Sequence, residues 1–170
     1  MSVLRTGLLV SLVVLGRTAR AEAQPHTPWV ADVTVGYAGF VDNVTKHTFV
    51  VGGAVRKYLT SRLSVGPELV VLKGHDVTRE RATLLTGNVT FDARRGSDAR
   101  QVTPFVVAGF GWYWTRDRFP TGPFTSSDPA FTAGLGVRAR VGERISAVGE
   151  YRIGWELHQR LTGSVTFERQ

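Results

Sequence analysis

The feature that most constrains the fold is the alternation of residue types between Phe131 and Trp155. Phe131, Ala133, Leu135, Val137, Ala139 and Val141 share one parity, and Thr132, Gly134, Gly136, Arg138 and Arg140 share the other. The segment from Ile145 repeats it, with Ile145, Ala147, Gly149, Tyr151, Ile153 and Trp155 against Ser146, Val148, Glu150, Arg152, Gly154 and Glu156. Side chains on a strand alternate between faces, so each of these strands has one apolar face and one charged face. Nearly every other strand of the chain is patterned the same way. No helical segment is left to cover an apolar sheet face, so a soluble layered sheet would leave that face in water. A closed barrel with its apolar side turned to lipid resolves the conflict.

The first 23 of the 170 residues read as an export signal: Arg5, an apolar run from Leu8 to Leu15, and Ala21-Glu22-Ala23 as the cleavage site. That run is too short to span a bilayer as a helix. Residues 24–170 then form one domain with 18 basic and 13 acidic side chains, and it stays basic. The absence of cysteine excludes a disulfide framework in this exported chain, so burial and hydrogen bonding hold the fold. Its apolar runs are too short for a membrane helix, which leaves a barrel as the way to cross a membrane.

The expected architecture is all-β, an antiparallel up-and-down transmembrane barrel of about eight strands, each about ten residues long. The strands are expected at about residues 29–40, 47–58, 62–73, 81–93, 101–115, 131–141, 145–156 and 160–168. Residues 60–62 and 142–144 read as tight turns, and 41–46, 74–80 and 116–129 as longer connections. Tight turns of bacterial barrels lie on the periplasmic side, so the longer loops face outside. Tyr37, Phe49, Trp112, Trp114, Phe131 and Trp155 would form an outer aromatic girdle, with Trp29, Phe91 and Phe167 at the opposite interface.

Two segments carry a family resemblance. Thr103-Pro104-Phe105-Val106-Val107-Ala108-Gly109-Phe110-Gly111-Trp112 is similar to the glycine-rich fifth strand of small OmpA/OmpX-like outer-membrane barrels, and Ala147-Val148-Gly149-Glu150-Tyr151-Arg152 resembles their seventh. The resemblance spans residues 28–168 and implies an integral protein of the bacterial outer membrane. It also implies recognition by the barrel-assembly machinery through a terminal aromatic, here Phe167 followed by Glu168-Arg169-Gln170.

The inward parity collects Asp32, Arg56, Arg62, Glu68, Asp92, Arg138, Arg140, Glu150 and Arg152. A lumen of about eight strands is only wide enough for side chains, so these charges are expected to pair and plug it. The register that sets Val141 opposite Ile145 brings Glu150 diagonal to Arg138. No cofactor, metal site or catalytic set is expected. His47, His75 and His158 and the Ser126-Ser127-Asp128 run lie near the outer rim, which keeps a rim hydrolase as one alternative. A soluble lipocalin-like barrel is another, because the same parity turned inside out gives an apolar lumen. Lys46, Lys73, Arg79, Arg81, Arg116 and Arg118 gather at the outer rim, where lipopolysaccharide phosphates are candidate partners. Nucleic acid is not an expected partner, since the basic residues are spread over both ends and the lumen. The oligomeric state is left open.

Overall fold

The computed structural model describes residues 29–40, 43–74, 81–93, 102–119, 122–154 and 158–169. They form eight antiparallel strands: β1 (Trp29–Phe40), β2 (Asn43–Tyr58), β3 (Leu63–Gly74), β4 (Arg81–Asp92), β5 (Val102–Phe119), β6 (Gly122–Arg140), β7 (Ile145–Gly154) and β8 (His158–Arg169). Each strand pairs with its sequence neighbours, and β8 pairs with β1 to close the barrel. The expected signal segment, residues 1–23, lies outside the described residues.

Register sets the tilt. Partners followed once around the barrel run Trp29, Lys57, Val65, Val89, Ala108, Ala133, Ile153, Gln159 and back to β1 at Gly39, ten residues beyond the start. A stagger of that size in eight strands tilts them by about 35–45° from the barrel axis. The curvature also brings neighbouring backbones close at inward positions. A Cβ on Gly111 would lie 1.8 Å from the Leu85 carbonyl oxygen, so only glycine lets β5 lie against β4 there.

The outer wall is apolar: Val33, Val35, Leu69, Leu85, Val89, Val106, Phe110, Leu135, Val137, Leu161 and Val165 are all exposed. A soluble lipocalin-like barrel would bury such residues, so the parity has the sense that suits lipid. The lumen has two layers. Toward the tight turns it is polar and charged, while Ala38, Val50, Val70, Leu72, Ala82, Leu84, Tyr113 and Ala130 form an apolar cluster nearer the opposite rim. The valines on both faces of β2 and β3 follow from this: Val50 and Val70 fill the apolar layer and Val51 and Val71 belong to the outer wall.

Both tight turns form where expected. Thr60 Oγ1 accepts from the Arg62 and Leu63 amides, and the Leu59 amide bonds the Leu63 carbonyl at 2.8 Å. In the second turn the Val141 and Gly142 amides both reach the Ile145 carbonyl at 3.0 Å.

The other rim differs from expectation. In the segment expected as a long loop, residues 116–129, the described residues 116–119 and 122–129 are strand: β5 and β6 pair up to Phe119↔Gly122, where Gly122 has φ +136°. Likewise β2 starts at Asn43, opposite Phe40. Prolines 123 and 129 suggest a loop in sequence but are tolerated here because their missing amides lie on the side away from β5, and among the described residues the pairing of β6 with β7 begins only at Thr132. The Pro104 carbonyl accepts from Ala93 on the β4 side, so even-numbered residues of β5 bond β4 and odd-numbered ones bond β6. In β6 the even residues therefore bond β5. Pro123, Thr125, Ser127 and Pro129 turn their backbone away from β5, and that side of β6 thus lacks two of these four amide donors.

Candidate functional site: the charged lumen

The charged layer is built by inward positions of every strand except β5. Asp32 on β1 takes Arg56 of β2 in a two-pronged pair, from Nε at 2.8 Å and Nη2 at 2.9 Å, and accepts a hydrogen bond from Thr166 of β8. Asp92, at the end of β4, accepts from Arg138 Nη1 at 2.9 Å and from the Tyr58 hydroxyl at 2.9 Å. The Arg138 guanidinium also lies 5.2 Å from the Phe105 ring centre, a cation–π contact that caps it with apolar surface. Glu68 of β3 is the hub. It accepts from Arg152 at 2.8 Å, Arg160 at 2.9 Å and Asn88 Nδ2 at 2.9 Å. Arg152 donates in turn to both oxygens of Glu150, from Nε and from Nη2, the latter at 3.1 Å.

Four carboxylates (Asp32, Glu68, Asp92 and Glu150) thus meet four arginines (Arg56, Arg138, Arg152 and Arg160) among the described residues, and the layer is neutral. Arg160 is 1% exposed and Asp92 1%. Neutrality and forked hydrogen bonds are what allow charges to stay ionised in so narrow a space. Saturation is incomplete: Nε and Nη2 of Arg138, Nε and Nη1 of Arg160, and Asn88 Oδ1 are buried without a protein partner. A cavity of about 30 Å³ lies among Asp32, Arg56, Glu68, Asn88, Glu150 and Arg152, room for a water or two. Above it stands the apolar layer of Val50, Val70, Leu72, Leu84 and Tyr113.

Three expectations change. Arg140 sits at the tight-turn end, its side chain 40% exposed, where it donates to the Glu143 carbonyl. Arg62 is exposed in the turn before β3. Glu150 lies opposite Gly136, as the register requires, yet its partners are Arg152 and Arg160 and not Arg138, which reaches across the lumen to Asp92. Sequence reasoning omitted Arg160, although the parity that turns Leu161 and Val165 outward turns Arg160 inward.

The aromatics Trp29, Tyr37, Phe49, Phe91, Trp112, Trp114, Phe131 and Phe167 are all exposed on the outer wall. Tyr37 and Phe49 pack edge to face at 5.8 Å, and Lys57 lies over Trp29 at 5.7 Å. Trp155 and His75 lie outside the described residues, as do the side chains of His47 and His158. Ser126 donates to Asp128 at 2.6 Å, and Ser127 accepts from Trp112 Nε1 at 3.0 Å, both within β6 and not in a loop. Among the described residues no three metal-ligating side chains gather.

Comparison with known proteins agrees with this geometry. A family model described as outer membrane protein beta-barrel domain matches residues 7–164. The N-terminal β-barrel domain of Pseudomonas aeruginosa OprF superposes with a TM-score of 0.67 at 13% identity, over 85% of this chain and 98% of that one. Neisserial surface protein A gives 0.66 at 12% identity, over 82% and 95%. Ail, the attachment invasion locus protein of Yersinia pestis, solved with the heparin analogue sucrose octasulfate, gives 0.53 at 11% identity, over 84% and 97%. At such identities the likeness is one of fold. No curated protein sequence matches the chain.

Proposed function

The chain belongs to the outer membrane protein beta-barrel domain family, and on that premise we propose that it is an integral, non-enzymatic element of the bacterial envelope. It is exported by the signal at residues 1–23 and inserted by the barrel-assembly machinery, with Phe167 on the closing strand as the recognised aromatic. Its lumen is a closed plug, and it works through its two outer surfaces, the lipid-facing wall and the β5–β6 hairpin.

The observation that carries this reading is the pairing of the lumen, four acids against four arginines beneath an apolar layer. Transport along the axis would require both layers to part. The length of β5 and β6, 18 and 19 residues against 12 in β1, β3, β4 and β8, supports a second role. A tilted strand needs about 9–11 residues to cross the bilayer, so the excess projects from the outer face as a hairpin available for adhesion.

Fractionation with trypsin shaving tests the placement. The protein should stay in the carbonate-washed membrane fraction, and trypsin added to intact cells should cut at Arg118, near the tip of the projecting hairpin. Recovery in the soluble periplasm, or cleavage at Arg144 before the hairpin, would overturn it.

A further inference from the structure

We infer that Lys73, Arg81 and Arg116 form a site for the phosphate groups of the outer-leaflet glycolipid, on one side of the barrel wall. This inference rests on the membrane placement proposed above.

The site is a property of register. Lys73 on β3 lies directly opposite Arg81 on β4, and Arg81 directly opposite Arg116 on β5. All three are exposed and of the outward parity. Like charges directly opposite one another across strands destabilise a sheet, and here two such pairs stand side by side. Among the described residues none of the three has an ion-pair partner. In the lumen, by contrast, every buried arginine meets a carboxylate. A row of three that is uncompensated among the described residues therefore points to an anion supplied from outside the chain.

Its surroundings indicate which anion. Two residues down the strands, toward the middle of the wall, the row is underlain by Val71, Thr83 and Trp114, and below them by Leu69, Leu85 and Trp112. The two tryptophans are the side chains that mark the membrane interface, so the cations begin where the hydrocarbon ends. The cations span two strand spacings, about 10 Å. Because the strands tilt, each step from β3 to β5 also climbs about 3 Å along the membrane normal. The total climb of about 6 Å matches the thickness of one headgroup layer. The same cross-strand row continues on β1 and β2 as Tyr37 and Phe49 and on β6 as Thr125, so the charge is confined to three adjacent strands. A phosphorylated sugar lying on this wall would have its phosphates among the three cations and its acyl chains along Trp112, Leu85 and Leu69.

The test compares urea stability of the folded protein in phosphatidylcholine vesicles with and without hexa-acylated lipid A. Wild type should be stabilised by lipid A, and Lys73→Gln/Arg81→Gln/Arg116→Gln should lose that increment while folding normally in phosphatidylcholine. Retention of lipid A by the triple variant in detergent should fall about tenfold or more, as expected on losing charge-assisted contacts. A second variant, Arg81→Glu, places an acid between two cations; it should raise stability in phosphatidylcholine and abolish the lipid A increment. Arg62→Gln, in a turn at the other end, should retain the increment. The inference is overturned if the triple variant keeps the full increment, if inorganic phosphate reproduces it, or if the triple variant is destabilised in phosphatidylcholine, which would mean that acids of this chain pair the row. Failure of the wild type to fold in any vesicle would instead overturn the membrane placement itself.

Discussion

Replacement of Glu68 by alanine is the most informative perturbation of the lumen. Its carboxylate accepts from Arg152 at 2.8 Å, Arg160 at 2.9 Å and Asn88 at 2.9 Å, all within a site that is 4% exposed. Arg152 would keep its fork on Glu150 and lose one charged hydrogen bond, a cost of about 1–2 kcal/mol. Arg160 fares worse. Its remaining carboxylate, Glu150, is 3.8 Å away, beyond hydrogen-bond reach, and its Nε and Nη1 already have no partner. An uncompensated buried charge costs about 3–5 kcal/mol. Together these give about 4–7 kcal/mol, comparable with the whole stability of many proteins. Urea titration in lipid vesicles, read by tryptophan fluorescence and by the gel mobility of unheated samples, measures it. The paired change Glu68→Leu/Arg160→Met should recover most of the loss, since it removes the orphaned charge with its acid. A loss below about 1 kcal/mol for Glu68→Ala would refute the reasoning, because it would mean that the arginines are solvated and not paired.

Gly111→Ala should cost about 2–3 kcal/mol or more, since its Cβ would meet the Leu85 carbonyl oxygen at 1.8 Å and force β4 from β5; refolding yield in vesicles measures the loss. Tyr58→Phe removes a donor to Asp92 and an acceptor for Arg138, each at 2.9 Å, and should destabilise by about 1–3 kcal/mol in the same titration. Pro123→Thr/Pro129→Thr restores both missing amide donors on the side of β6 away from β5 and should turn the hairpin into a pairing template. Light scattering in detergent should then show dimers or larger species at concentrations where the wild type shows none.

The fold was largely legible because a barrel wall is written with period two. Parity alone placed Leu135, Val137, Ile145 and Ile153 on the outer wall, and the Val141–Ile145 turn located the β6–β7 register. Partners within the lumen were not legible, because they depend on how far each arginine reaches across a tilted barrel and not on which strand is adjacent. Arg138 passes over Val148, its nearest neighbour on β7, to reach Asp92 on β4. The apolar layer was obscured for a related reason: Val50, Val70 and Leu72 look like weakened alternation until the lumen is seen to change character along its axis. The β5–β6 extension was missed because proline, serine and glycine signal a loop locally, whereas a strand accepts proline where its amide would face away from the paired neighbour.

The central claim, that paired charges and an apolar layer close the lumen, is tested most directly by single-channel recording of the unmutated protein in planar bilayers. Insertion is verified independently by protease protection. The closed lumen should leave the bilayer silent, with no steady conductance above the lipid baseline across the voltage range. Steady, large single-channel currents from the same preparation would contradict it, because they would require a continuous water-filled path through both the charged and the apolar layers.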